Sequence, residues 1–253
     1  MVKRIFLIIA IGLIIAIIVA SSYFLLTPKF LREEHLGGKY DAKLIITGND
    51  TRGFEFGDIT YTKDGVEHTG YYNSFLKNAL DWIKNHTSEN AVFLNSWGYG
   101  HVIVGYAERE SVIKNPSKEA LVSVAEPYRS EIKEFDPHKM IVDVAEALTS
   151  TNESLANAVM SKYDANYLLI TSVDGSDGGY WMFYFAGLDS TQYFSFSPSP
   201  STSAGERMLT FKDYNYTELG KQTMIYRLLS NSDLQVFTQV YSDENVKIFK
   251  TSM

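Results

Sequence analysis

The sequence predicts a mixed α/β fold: a single globular domain with a central sheet and flanking helices, set behind one N-terminal transmembrane helix. Three observations predict it. Ile5 to Leu26 is apolar apart from Gly12, Ser21, Ser22 and Tyr23, and carries no charge. Beyond residue 74, segments with apolar residues at helical spacing alternate with short apolar runs bounded by turn residues. The chain of 253 residues is long enough for a membrane segment plus one domain of ordinary size.

After a short tail at residues 1–4, the run 5–26 reaches across a ~30 Å hydrocarbon core at ~1.5 Å per residue. Lys3 and Arg4 precede it and Lys29 and Arg32 follow, so the basic residues are nearly balanced and leave the orientation open. A cleaved signal peptide, with Val19-Ala20-Ser21 as a loose cleavage site, is the competing expectation. The apolar run continues through Tyr23-Phe24-Leu25-Leu26, which favours an uncleaved anchor.

Residues 27–73 form a membrane-proximal, β-rich segment. Lys43-Leu44-Ile45-Ile46-Thr47 and its neighbours suit a small hairpin or two, with Asp64-Gly65 as a turn. From residue 74 to 253 the domain proper is expected. Leu76, Ala79, Leu80 and Ile83 recur at helical spacing beside Trp82, and Asn85 to Asn90 breaks the pattern. Ala91 to Leu94 has the length of a buried strand and empties into Ser96-Trp97-Gly98-Tyr99-Gly100. Two glycines there free the backbone to place an indole and a phenol at the strand's carboxyl end.

Val112 and Ile113 suggest a further strand, and Lys118 to Ile132 a weak helix broken by Pro127. Asp136-Pro137 reads as an N-cap and first-turn proline for a helix through Leu148. Ser150-Thr151-Asn152-Glu153 reads as a capping box for a helix to Tyr163, and Tyr167 to Ile170 as a buried strand. Asp174 and Asp177 with three glycines are expected to form a solvated turn and Trp181 to Ala186 an aromatic strand. Residues 189–217 read as a loose Ser/Thr/Pro-rich loop. Glu218 to Leu229 is expected to be helical with Leu219, Met224 and Leu228 inward, before strands at Leu234 to Tyr241 and Val246 to Phe249.

Composition narrows the function. Net charge is −7 with no basic cluster beyond the apolar run, which argues against nucleic acid as a partner. Cysteine is absent, so neither disulfides nor thiol chemistry are available. Acceptor triplets of the Asn-x-Ser/Thr kind occur at Asn49, Asn85, Asn152 and Asn215, a feature that fits export. His35, His68, His86, His101 and His138 are scattered, and each suits a surface or capping role. Asp143 and Glu146 lie one turn apart on what reads as a solvated helix face. Asp174 and Asp177 among glycines raise the thought of a calcium loop, but the bidentate Glu of an EF-hand is missing, and no metal or cofactor is expected.

The helix, the Asn-His-Thr-Ser-Glu-Asn-Ala-Val turn, the strand and Ser96 to Gly100, followed by His101, Arg109 and Asn115, resemble the segment around the Trp-Trp-Asp-Tyr-Gly signature of the oligosaccharyltransferase catalytic subunit. The likeness runs from about Ser74 to the C-terminus, and archaeal members are the most similar. Trp97, Tyr99 and Gly100 match, whereas Ser96 stands at the first Trp and Gly98 at the Asp. The family's second signature, Asp-x-x-Lys ending on Met or Ile, has its counterpart in Asp174 to Met182 with glycine at the Lys position. An aromatic turn that simply plugs a core is the plainer alternative.

The resemblance implies that Ser96, Trp97, Gly98, Tyr99, Gly100 and Met182 form a degenerate peptide-binding site. In the family that motif holds the hydroxyl two residues after the acceptor Asn, and a buried carboxylate with indole donors rejects a methylene there. The family's donor site and metal carboxylates lie in a many-span membrane portion without counterpart here, so no catalytic residue is expected in this chain. The expectation is therefore a membrane-anchored, extracytoplasmic, non-catalytic relative that binds a polypeptide or a full-length oligosaccharyltransferase. The alternatives are an auxiliary piece completing an active transferase in trans, and a cell-surface interaction protein without a link to glycosylation.

Overall fold

The computed structural model describes residues 31–123, 129, 132–196 and 211–251. The apolar run 5–26 lies outside the described residues, as do residues 124–128 of the weak helix expected after Lys118 and the centre of the Ser/Thr/Pro-rich loop. Among the described residues, no helix is long and apolar enough to cross a membrane.

The fold is mixed α/β. Strands β1 (Arg32–Gly37), β2 (Ala42–Asn49), β3 (Glu55–Lys63) and β4 (Val66–Asn73) form an antiparallel meander in sequence order. Asp64 and Gly65, with φ of 52° and 76°, make the two-residue turn between β3 and β4 that the sequence signals. Then come α1 (Lys77–His86), β5 (Val92–Leu94), α2 (Trp97–Gly105), β6 (Glu110–Ser111), α3 (His138–Thr149), α4 (Glu153–Lys162) and β7 (Tyr167–Thr171). The chain continues through α5 (Asp177–Phe185), β8 (Phe194–Phe196), β9 (Tyr214–Tyr216), α6 (Met224–Ser230), β10 (Phe237–Ser242) and β11 (Val246–Thr251).

A second sheet of order β10-β11-β7-β5-β6 is the centre of the molecule. β5 runs parallel to β6 and β7, while β11 is antiparallel to β7 and β10. The alternation of side chains along a strand divides its apolar residues between two cores. Tyr167, Leu169, Phe93, Val246 and Ile248 face a core shared with α1, α2 and the inner side of the meander. Leu168, Ile170, Leu94 and Phe249 face the other, with α3, α4, α5 and α6. This double burial explains why β7 is apolar without alternation.

Several local expectations need correction. Trp181 to Ala186 is not a strand: Met182, Phe183 and Phe185 are inward residues of α5, and Tyr180 and Tyr184 point to solvent at helical spacing. The strand expected at Val112-Ile113 is formed two residues earlier, at Glu110–Ser111. Asp136 does not cap α3: its carboxylate accepts the amides of Lys114 and Asn115 at 2.5 and 2.7 Å, and Pro137 is the cap residue. Asn152, not Ser150, caps α4, and Glu153 reaches across to the amides of Gln235, Val236 and Phe237. Leu219 lies outside α6 and is exposed, while Met224 and Leu228 are inward. The loop 189–217 contains the β8–β9 ladder. Asp143 is not on a solvated face: it is buried among Lys139, Lys162 and Tyr163. Burial opposes its charge, but those hydrogen bonds outweigh it and hold the carboxyl down at about 2.

Candidate functional site: a cleft beside the aromatic-glycine motif

β5 delivers the chain to Asn95, which is fully buried. Its amide donates to the carbonyl of Ser96 at 2.7 Å and its oxygen accepts the Ser111 hydroxyl at 2.9 Å, fixing the exit from the strand. Ser96 is the N-cap residue of α2 but makes no side-chain cap. Its hydroxyl instead favours the charged form of the nearby Asp174 carboxyl. The motif is therefore not an open turn but the first turns of a helix, and this sorts its residues by the helical period.

Trp97 is half-buried and Gly98 exposed, whereas Tyr99 and Gly100 are buried. The Trp97 ring meets Phe185 of α5 edge to face, with centroids 5.6 Å apart. The Tyr99 hydroxyl lies 2.8 Å from that of Thr171 at the end of β7. A Cβ on Gly100 would overlap the carbonyl oxygen of Ile113, so this glycine serves close approach, not backbone freedom. A Cβ on Gly98 would meet nothing. Met182 is buried in the core on α5.

His101 is buried, contrary to the expected surface or capping role. Its Nδ1 is 3.0 Å from the Tyr61 hydroxyl and its Nε2 2.8 Å from Oδ1 of Asn115, so both ring nitrogens are engaged. Burial is the main cause that lowers its pKa and favours the neutral ring. His68 stacks on Tyr61 and pairs with Glu134 at 2.9 Å. Arg109 is also buried; it donates to the carbonyls of Lys84 and Thr87 and so ties down the C-terminal end of α1.

Trp97, Gly98 and His101 form one side of an open cleft of about 660 Å³. The meander supplies the opposite side through Asp50, Phe56, Asp58, Glu67, Thr69, Gly70 and Tyr71. Lys114, Asn115 and Pro116, with Ile132, Lys133 and Glu134, make the lip. The sequence reading found the Trp97 side of this cleft and missed the meander, which carries no motif. Only the alternation along β3 and β4 and the Asp64-Gly65 turn signal where that wall lies. Two of the cleft's carboxylates have structural partners: Asp50 accepts from Asn73 and Arg52, and Glu134 bonds to His68. Aromatic faces, amides and carboxylates in this arrangement suit recognition of an extended polar chain.

Asp174, expected on a solvated turn, is buried. It accepts the Thr171 amide at 2.8 Å and the Thr171 hydroxyl at 3.0 Å. Burial pushes its pKa up to about 6 against these hydrogen bonds and that of Ser96. Among the described residues, no cluster of His, Asp or Glu is arranged to hold a metal ion. The acceptor residues Asn49, Asn85, Asn152 and Asn215 are all exposed. Two are engaged in the fold: Asn85 donates to the Asp81 carbonyl, and Asn152 caps α4.

No family model matches the chain. The dolichyl-diphosphooligosaccharide–protein glycosyltransferase subunit stt-3 of Caenorhabditis elegans is 24% identical over 207 residues, covering 69% of this chain and 25% of the relative. The chain thus spans about a quarter of the length of that curated relative. Among solved structures, the C-terminal globular domain of oligosaccharyltransferase from Archaeoglobus fulgidus is 20% identical, with coverage of 70% of this chain and 96% of that one and a TM-score of 0.45. The oligosaccharyltransferase of the same organism, tethered with an acceptor peptide containing the NVT sequon, is 19% identical over 68% of this chain and 24% of that one, at a TM-score of 0.47. The C. jejuni pglb C-terminal domain is 11% identical over 70% of this chain and 99% of that one, at 0.44. In sequence this chain is similar to the oligosaccharyltransferase subunit, and the solved structures it resembles include C-terminal globular domains of that enzyme.

Proposed function

We propose that this chain is a polypeptide-binding relative of the oligosaccharyltransferase soluble domain, with a role related to protein N-glycosylation and no transfer activity of its own. The observation that carries it is the position of Trp97 and Gly98. They stand at the resembling family's hydroxyl-binding motif, and they are the motif residues that open onto the cleft. Gly98 brings no carboxylate to that cleft, and Asp174, beneath the motif, is not among the lining residues. A peptide hydroxyl bound beside Gly98 lacks the carboxylate that the resembling motif supplies at that position, a charge-assisted partner worth ~1.5–3 kcal/mol, or a factor of roughly ten or more in affinity. The reading further places residues 5–26 as a single anchor and the domain outside the cytoplasm, where a polypeptide or a full-length transferase would be met.

Titration of the protein with an Asn-x-Thr peptide and its Asn-x-Ala control tests this. Both should bind with affinities within about threefold, and Trp97→Ala should weaken both. A clear preference for Asn-x-Thr would show that hydroxyl recognition survives. Binding of neither would remove the reading. A second reading, an auxiliary piece acting in trans, draws on the match to one quarter of the curated relative. It expects the chain to raise the activity of a full-length transferase when added to it.

A further inference from the structure

We propose that the folded domain is itself an acceptor of N-linked glycan, at Asn49 and Asn215 and not at the other two Asn-x-Ser/Thr triplets. This goes beyond the binding reading above: there the chain receives a polypeptide, and here it is the polypeptide that is modified. In the transfer, the side-chain nitrogen of Asn bonds to the anomeric carbon of a glycan carried on a lipid diphosphate. The bond from that carbon to the diphosphate breaks, the lipid diphosphate leaves with the electron pair, and the nitrogen gives up one proton. A separate transferase carries out the step. It needs a side-chain amide that can be lifted from the surface and a hydroxyl residue two positions on, presented beside it.

Local geometry sorts the four triplets. Alternate residues of an extended chain point to one side, whereas positions two apart on a helix do not face each other. β2 ends on Asn49. Asn49 and Thr51 are exposed, and Asp50 between them turns inward, its carboxylate accepting the amides of Arg52 and Phe54 at 2.9 and 3.0 Å. Asn215 is the middle residue of β9. Asn215 and Thr217 are exposed, and Tyr216 between them turns inward and donates to the Gly175 carbonyl at 2.8 Å. Thr217 donates to the Gln192 carbonyl from its exposed position, a bond exchanged when the hydroxyl is read. Among the described residues, the side-chain amides of Asn49 and Asn215 make no hydrogen bond. The helical triplets differ. Asn85 commits the reacting nitrogen itself to the Asp81 carbonyl at 2.8 Å, and Thr87 is buried with its hydroxyl on the Ile83 carbonyl. Asn152 caps α4 through its side-chain oxygen, and Glu153 beside it is buried on the amides of Gln235, Val236 and Phe237. Transfer at either site has to undo a helix end.

The test incubates the unmodified full chain in detergent with a full-length oligosaccharyltransferase and its lipid-linked oligosaccharide. Mass spectrometry then follows glycan on each of the four asparagines. Four synthetic peptides, each spanning one triplet, are run in parallel, and the rate at each site in the protein is divided by that of its own peptide. This ratio cancels the preference of the transferase for one triplet over another. It should be at least tenfold higher at Asn49 and Asn215 than at Asn85 and Asn152. Asn49→Gln and Asn215→Gln should each remove one glycan and leave the other. Unfolding the chain in urea before a brief dilution into the assay should bring the four ratios together. Equal ratios in the folded protein, or higher ones at Asn85 or Asn152, would overturn the proposal. So would peptides of Asn49 and Asn215 that accept no glycan. The assay does not depend on where the domain stands in the cell or on what the cleft binds, so its failure leaves the earlier reading untouched.

Discussion

The hydroxyl of Tyr99 meets the hydroxyl of Thr171, 2.8 Å away, and joins the start of α2 to the end of β7. The Thr171 hydroxyl passes the connection to the carboxyl of Asp174, which is near the hydroxyl of Ser96, three residues before Tyr99. This run of side chains joins the aromatic-glycine motif to the end of β7 and sets its position against the central sheet. Such networks are satisfied as a unit, and each member limits the movement of the others.

Tyr99→Phe should therefore destabilise the protein by ~0.5–1.5 kcal/mol, the range for one hydrogen bond. The lower half is expected because Thr171 keeps its bond to Asp174. Urea unfolding of both proteins measures it. A loss above about 3 kcal/mol would mean that the phenol does more than satisfy one hydroxyl.

The two glycines of the motif should respond in opposite directions. Gly100→Ala places a methyl on the Ile113 carbonyl and should cost several kcal/mol, or abolish folding, because backbone on both sides must shift. Gly98→Asp puts a carboxylate into open space in the first turn of α2, where it faces the positive end of the helix. Loss of a helical glycine and gain of an N-terminal anion should together raise stability by ~0.5–1.5 kcal/mol. Thermal unfolding of the two variants would show the contrast, and a destabilised Gly98→Asp would be against it. That variant also restores the carboxylate of the resembling motif and is the protein in which preference for Asn-x-Thr should reappear.

Asp174 predicts a pH dependence. Its folded pKa of about 6 is above the ordinary 3.8, so the folded state holds the proton more tightly than the unfolded chain. The contribution is greatest below about pH 4, falls as the pH rises to about 6, and is then constant. The fall is about 3 kcal/mol at ~1.36 kcal/mol per pH unit. Asp174→Asn keeps an acceptor for Thr171 and cannot ionise, so its stability between pH 4 and 6 should be flatter. Unfolding curves at pH 4, 5, 6 and 7 decide, and equal slopes for both proteins would clear Asp174 of the effect. Asp143, held down at about 2, weakens the fold only as the pH drops from about 4 through 2, outside this window.

The sequence alone determined the elements whose period is strong and whose ends carry a signal. The helix with Ala79, Leu80 and Ile83, the buried run Tyr167 to Ile170, the Asp64-Gly65 hairpin and the strand from Val246 stand where pattern and turn residues put them, while the strand before it starts at Phe237, three residues later than its pattern suggests. It also placed Trp97 and its neighbours immediately after a strand, which is where the cleft opens. Tertiary structure decided the rest. The aromatic run from Trp181 has apolar residues on every side, so no period separates helix from strand until Met182 and Phe183 find a core and Tyr184 does not. Asp174 and His101 are polar residues buried by contacts with partners far along the chain, Ser96 for the one and Tyr61 for the other. The wall of the cleft from Asp50 to Tyr71 likewise meets Trp97 only through the packing of the meander against α2. Local pattern fixes which face of an element is apolar, whereas burial of a polar group depends on which distant groups arrive to bond it.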